Sequence, residues 1–212
     1  MRASFDAAVA AADPLRVVPA HLPPRPPGRV VVVGAGKAAA SMALAVERAW
    51  PDVAIEGVVI TRYAHGAPTE RIRVVEAGHP VPDDAGESAA RDITQLVSRL
   101  QRDDVLLALI SGGGSSLLSL PVPQVSMSGL KSVTRLLLAS GAPIGEMNIV
   151  RKHLSQIAGG RLGADAASRG ARWRADLVPR PRADPGAGAP LEVDGALRRP
   201  PGRRHLALGH LS

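Results

Sequence analysis

Two glycine-rich segments carry the residues best suited to chemistry in this sequence. The first, Gly34-Ala35-Gly36-Lys37-Ala38-Ala39, follows the β-branched run Val30-Val31-Val32-Val33 and opens a stretch of helical character. Glycines let a backbone approach a phosphate, a helix start presents unpaired N–H groups, and Lys37 adds a full positive charge there. The segment fits neither named phosphate turn. A P-loop needs glycine five residues before Gly36 and a hydroxyl residue after the lysine, where this chain has Val31 and Ala38. A dinucleotide fingerprint tolerates Ala39 but wants an acid at the end of the second strand, where Thr61 and Arg62 stand. Arg62 would suit a 2′-phosphate. Two readings stay open for this turn: a ligand site, or a tight strand–helix connection.

The second segment, Ser111-Gly112-Gly113-Gly114-Ser115-Ser116, directly follows the most hydrophobic run, Val105–Ile110. Three consecutive glycines are costly in chain entropy, and a structural turn needs only one or two. Successive backbone N–H groups with three hydroxyls make a nest for an anion. The alternative is a flexible linker, which seldom sits directly after a buried strand. A third set, Asn148, Arg151 and Lys152, falls at i, i+3 and i+4 and shares one helix face. It is either a solvated face or part of a charge clamp. Gly78-His79-Pro80-Val81-Pro82-Asp83 is rich in turn residues and holds one histidine, read as an exposed loop side chain with no second ligand at metal spacing. No nucleophile elbow or Ser–His–Asp set is assignable. The absence of cysteine excludes disulfides, thiol catalysis and cysteine-ligated metals.

The elements that must position these residues alternate. Strands are expected at 29–33, 57–61, 72–75 and 105–110, with helices at 37–50, from Asp83-Asp84 to Leu100, at 128–140 and from 143 to about 157. Before them come an amphipathic helix at the start of the chain and a proline-rich joint, Pro19 to Pro27, expected to be irregular. Such alternation, with glycines at strand ends, predicts an α/β fold: a Rossmann-like, doubly wound parallel sheet whose ligands sit beyond the carboxyl ends of the strands. Only 2% of residues are aromatic, so the core must rely on close packing of Ala, Val and Leu.

Of the net charge of +7, residues 1–167 carry +2 and residues 168–212 the other +5. The basicity belongs to the tail, so no specific nucleic-acid partner is expected. No apolar run approaches the roughly 18 residues of a membrane span, and the first residues lack the pattern of a signal peptide. A cytoplasmic protein with no membrane partner is the expectation. The domain is expected to occupy residues 1–167. Residues 168–212, dominated by Arg, Pro and Gly, are expected to be an unstructured tail.

Taken together, these segments resemble the N-terminal domain of the class II glycerate 2-kinases, a family also labelled hydroxypyruvate reductase. The matching stretches are Val32–Ala38, Gly57–Thr61 with His65-Gly66, Gly78–Asp83, Leu109–Leu117 and Asn148–Leu162, in order over about residues 5–163. The resemblance implies phosphorylation of D-glycerate at its 2-hydroxyl by ATP with Mg²⁺, in a cleft between two domains. It implies that Lys37, Arg151 and Lys152 act on the transferring group. Gly34, Gly36, Ser111, Gly112, Gly113, Gly114, Ser115, Ser116 and Asn148 would bind phosphate or substrate. Two departures stand out: Ala158 and Arg62 occupy places where the family often has lysine. The family also continues past its Gly-Gly-Arg-Leu into a second domain not recognisable in this chain, and Leu197–His205 can be back-translated so that the next frame gives a Ser-Asp-Val stretch similar to the family's. The expectation is therefore an incomplete kinase with an out-of-frame tail and only traces of activity. The alternatives are an NAD(P)H-dependent hydroxypyruvate reductase and a non-enzymatic anion-binding module.

Overall fold

The computed structural model describes residues 2–174. Strands β1 (Val30–Ala35), β2 (Ile55–Arg62), β3 (Ile72–Ala77), β4 (Val105–Ile110) and the short β5 (Arg172–Arg174) form one parallel sheet in the order β3-β2-β1-β4-β5. β1 lies at its centre. It runs beside β2 from Val30↔Ile55 to Ala35↔Ile60 and beside β4 from Val30↔Val105 to Ala35↔Ile110. Every residue of β1 is buried, which explains its unbroken valine run: a strand covered on both faces has no polar side to alternate with.

The pleat divides that run between two layers. Val30 and Val32 face α2 (Pro14–His21) and α3 (Ala39–Ala49), meeting Val18, Met42, Ala43 and Val46. Val31, Val33 and Ala35 face α4 (Asp84–Ser98), meeting Ala89, Ala90, Ile93 and Val97. Helices on both faces make the sheet doubly wound, as the alternation predicts. Ala39, Ala40, Ala43 and Ala45 of α3 are fully buried, so the helix rests close to the sheet without large rings. From β1 the chain winds outward to β2 and β3. It then returns through α4 to β4 on the other side of β1. The carboxyl ends of β1 and β4 therefore form the topological switch point, where a parallel α/β sheet opens a crevice.

Two polar arrangements, one half-exposed and one buried, hold the remaining joints. Arg29 bridges Glu56 and Asp104, each at 2.5 Å, tying the amino ends of the three central strands. At the end of α3, the buried Glu47 carboxylate accepts the backbone N–H groups of Glu70, Arg71 and Ile72. The Arg71 guanidinium returns the contact by donating to the carbonyls of Glu47, Trp50 and Val53.

Several boundaries differ from expectation, each for a physical reason. The chain begins with two helices, α1 (Arg2–Ala11) and α2, and Pro19 lies inside α2. In an eight-residue helix that proline forfeits one internal hydrogen bond, and burial of Val18 against α3 offsets the loss. After β4 come the single turn α5 (Gly114–Leu117), then α6 (Met127–Ala139) and α7 (Ile144–His153). α7 stops short of the expected end near residue 157. Beyond it the chain pairs with the segment after α5: Pro121 and Ser155 form an antiparallel bridge, and Ser155 Oγ accepts the N–H groups of Ile157 and Ala158. Regular structure also runs past residue 167. α8 (Arg161–Ser168) buries Ala166, and β5 adds a strand beside β4, in register Val105↔Arg172. The rest of the expected tail, from residue 175, lies outside the described residues.

Candidate anion-binding site

The two glycine-rich turns sit side by side at the switch point and are interlocked. The Lys37 N–H donates to the Gly112 carbonyl at 2.9 Å, and the Ala38 N–H, at the start of α3, donates to Ser111 Oγ at 3.0 Å. Gly36 has φ +139° and lies so close to Ser111 that a Cβ there would overlap its side chain and carbonyl. Only glycine fits. Gly34, in contrast, is buried within β1 between Val59 and Leu109, and its small size serves strand packing.

The second turn is more ordered than an open nest. Gly113 takes the left-handed conformation, φ +88°, and Gly114 starts the single turn of α5. Ser116 Oγ donates to the Gly113 carbonyl at 3.0 Å. With Ser111 already accepting from Ala38, two of the three hydroxyls serve the turn itself. Ser115 is exposed, as are Gly112 and Lys37.

Ser115 and Ser116 line one cavity with Pro82, Asn148, Arg151 and Lys152, so the polar face of α7 meets the glycine-rich turn across a shared opening. The cavity also reaches Ala158, the place where the resemblance implies lysine. Lys37, Gly34 and Gly36 do not line it. Lys37 enters the picture through His79, which is half-buried where its turn-rich setting predicts an exposed side chain. Its ring packs against Gly113, with Nε2 2.6 Å from where a Cβ on that glycine would stand. Burial, then the charges of Lys37 and Arg62, then that of Arg151, push the His79 pKa below its ordinary value. Three cations from three elements thus bear on one imidazole: Lys37 after β1, Arg62 at the end of β2, and Arg151 on α7. No ion pair involves any of the three among the described residues.

Asp83 holds the loop that presents His79. It accepts the N–H of Gly78 at 2.8 Å and, as N-cap of α4, that of Gly86 at 3.0 Å, and the Tyr63 hydroxyl donates to it at 2.8 Å. Burial works to raise the Asp83 pKa, but these donors outweigh it and the net displacement is downward. The only signal for His79 in the sequence was its turn-rich setting, Gly78 to Asp83. Nothing in its spacing pointed to cations from elements far along the chain.

A parallel doubly wound sheet with interlocked glycine turns at its switch point defines a Rossmann-like α/β domain. The chain belongs to the family described as "Domain of unknown function (DUF4147)", which matches residues 1–174. It is 46% identical over 135 residues to the glycerate 2-kinase of Pyrococcus horikoshii, covering 64% of this chain and 30% of that protein. It is 44% identical over 155 residues to the D-glycerate 2-kinase of Thermotoga maritima, covering 73% and 37%. An Agrobacterium vitis protein named "Putative hydroxypyruvate reductase" is 56% identical over 162 residues, covering 76% and 37%. The crystal structure of glycerate kinase from Thermotoga maritima superposes with a TM-score of 0.69 at 42% identity, over 76% of this chain and 39% of that one. The chain thus spans about a third of the length of these relatives, from 30% to 39%.

Proposed function

We propose that this domain serves the ATP-dependent phosphorylation of D-glycerate at its 2-hydroxyl, supplying the phosphate- and carboxylate-binding side of a glycerate 2-kinase. The observation that carries this reading is the cavity in which Arg151, Lys152 and Asn148 of α7 face Ser115 and Ser116. Phosphoryl transfer asks little covalent chemistry of a protein. Its rate comes from positioning and from fixed positive charge around the transferring group. In this reading Lys37, Arg151 and Lys152 neutralise that group, the Ser111–Ser116 turn steadies an anionic oxygen, and Asn148 orients the substrate. The kinase names of relatives at 44–46% identity support the same assignment.

ATP is a substrate here, and Mg²⁺ would accompany its phosphates. No group of three or more His, Asp or Glu side chains able to hold a metal occurs among the described residues. Among the same residues no helix is long and apolar enough to cross a membrane, and a cytoplasmic location is part of the proposal. The reductase reading is weaker. A dinucleotide site wants an acid at the end of β2 for the ribose, where this chain has the buried Thr61 and the exposed Arg62.

The test is turnover by the purified chain with ATP, Mg²⁺ and D-glycerate, the product resolved as 2- or 3-phosphoglycerate. It is run beside NADPH oxidation with hydroxypyruvate. Glycerate-dependent formation of 2-phosphoglycerate, reduced about a hundredfold or more in Lys37→Ala, supports the proposal. Hydroxypyruvate-dependent NADPH oxidation overturns it, as does the absence of both turnover and saturable binding of ATP or D-glycerate.

A further inference from the structure

The cavity that Ser115 and Ser116 share with α7 changes character from rim to base. Its rim carries the exposed Ser115 and Lys152 with the half-buried Asn148 and Arg151. Deeper, Leu120 and Leu130 are buried, and so are Thr134 of α6 and Ser155. Thr134 is only 3% exposed, yet its hydroxyl has no hydrogen-bond partner among the described residues. Among those residues every side-chain N or O atom fully sealed from solvent does have a partner, so Thr134 Oγ1 opens onto space, and the space it lines is this cavity. A threonine within a helix readily spends its hydroxyl on the carbonyl four residues back, as Thr94 does on Ala90. Thr134 does not. Ser155 is half spent: its Oγ accepts the N–H groups of Ile157 and Ala158, and its own proton goes to no described group. The other buried hydroxyls of the lining, Ser116 and Ser119, donate to the Gly113 and Ser116 carbonyls. Two hydroxyls therefore remain available at the base, among leucines.

We infer that Thr134 is a specificity-determining residue: it hydrogen-bonds the 3-hydroxyl of D-glycerate, with Ser155 as a second donor, while the carboxylate meets Arg151 and Lys152 at the rim. The inference rests on the proposed glycerate-binding role of this cavity and adds the two buried hydroxyls to it. Charge sets the orientation. Arg151 and Lys152 are the only cations of the lining among the described residues, so an anionic group at the base would be desolvated among leucines with no counter-charge. A neutral hydroxyl there meets groups of matching capacity, since each hydroxyl offers one donor and two acceptor positions. Size sets the ligand. The cavity measures about 190 Å³, short of the roughly 300–1,000 Å³ of sites that enclose drug-sized molecules. It takes a three-carbon acid and leaves no room for a nucleotide. With the 3-hydroxyl seated at the base, the 2-hydroxyl stays nearer the rim, within reach of a phosphoryl donor. One contact thus selects both the acid and the position at which it reacts. An analogue without the 3-hydroxyl would displace water from Thr134 and leave it buried and unpaired, which is how a hydroxyl-binding site rejects such a molecule.

The experiment is calorimetric titration of the whole chain with D-glycerate and with D-lactate, which has the same carboxylate and 2-hydroxyl but lacks the 3-hydroxyl. Wild type should bind D-glycerate about tenfold or more tighter than D-lactate. Thr134→Val keeps the shape of the side chain and removes its hydroxyl. It should weaken D-glycerate binding about tenfold and leave D-lactate binding no weaker, so that the preference disappears. Thr134→Ser should restore the preference. Thr94→Val, whose hydroxyl is spent within α4, should keep it throughout. If Thr134→Val does not fold, the comparison of the two acids on wild type decides. Equal affinity of wild type for the two acids, an undiminished preference in folded Thr134→Val, or no binding of either acid overturns the inference. The kinase reading is followed separately, with ATP and Mg²⁺ added. Thr134-dependent selection of D-glycerate without formation of 2-phosphoglycerate would overturn that reading and leave the contact standing. Turnover whose KM for D-glycerate and ratio of 2- to 3-phosphoglycerate are unmoved by Thr134→Val would do the opposite.

Discussion

His79 and Gly113 meet with no room between them: the imidazole Nε2 lies 2.6 Å from the place a Cβ on Gly113 would take, and Gly113 itself has φ +88°. One contact therefore joins the loop before α4 to the turn after β4, and it tolerates no side chain on the glycine. Gly113→Ala should cost about 1–3 kcal/mol from the left-handed backbone alone. It should also push His79 out of place, so anion binding weakens more than stability does. Urea denaturation and sulfate titration of the same variant separate the two effects, and equal binding by folded variant and wild type would contradict the contact's role.

The interlock between the turns gives a second prediction. Ser111 Oγ accepts the Ala38 N–H at the start of α3. Ser111→Ala leaves that donor without its partner, at a cost of about 1 kcal/mol of the kind seen when a helix loses its cap. Loss of stability should appear in chemical denaturation. Amide hydrogen exchange should quicken first at residues 37–40.

Glu47 is the larger structural risk. Its carboxylate is buried and accepts three backbone N–H groups from residues 70–72. Glu47→Ala strands those donors at the edge of β3, and each unsatisfied group costs about 1–3 kcal/mol. The variant should lose roughly 3 kcal/mol or more of stability, a large part of what a domain of this size holds. A loss under 1 kcal/mol in equilibrium unfolding would mean that water replaces the carboxylate.

Acid should lower the stability of the domain in two stages. The His79 pKa is lowered in the folded state, so its contribution is complete above the unfolded value of about 6.5 and is lost as pH falls through the folded value. The Asp104 pKa is lowered, chiefly by the hydrogen bond from Arg29, and that of Asp83 is lowered by the donors around it. Their contributions persist above about pH 3.9 and disappear as pH falls through the folded values. In a plot of unfolding free energy against pH, His79→Gln should abolish the upper stage, and Arg29→Met should diminish the lower one.

Much of the fold was readable because it is built from local signals. The valine run of β1, the β4 run of Val105–Ile110 and the spacing of Ala89, Ile93 and Val97 each announce their element. α8 and β5 announced nothing. Their residues are mostly Arg, Ala and Gly, and β5 exists only because β4 offers it an edge to pair with. Pro19 misled for a related reason, since a buried Val18 decided the matter over a local preference. The glycine turns and the α7 cations were legible as polar groups at strand and helix ends. The place of His79 was not, because its contact with Gly113 joins residues far apart in the chain.

The interlocked turns and α7 differ in how firmly they are held, and that difference has a thermodynamic consequence. Gly34 and Ala35 of the central strand and Gly36 and Gly114 of the turns are buried, whereas α7 buries none of its residues and is anchored beyond its end by the Pro121–Ser155 bridge. Segments with few buried contacts open at the lowest free energy. One wall of the site is thus stiff before any ligand arrives, and the other, carrying Asn148, Arg151 and Lys152, has entropy left to lose. A ligand that touches both walls should slow hydrogen exchange strongly over 144–153 and hardly at all over 34–37. Its affinity will be reduced by the cost of ordering α7, and a substitution that stiffens that helix at exposed Gly145, such as Gly145→Ala, should tighten binding without adding a contact.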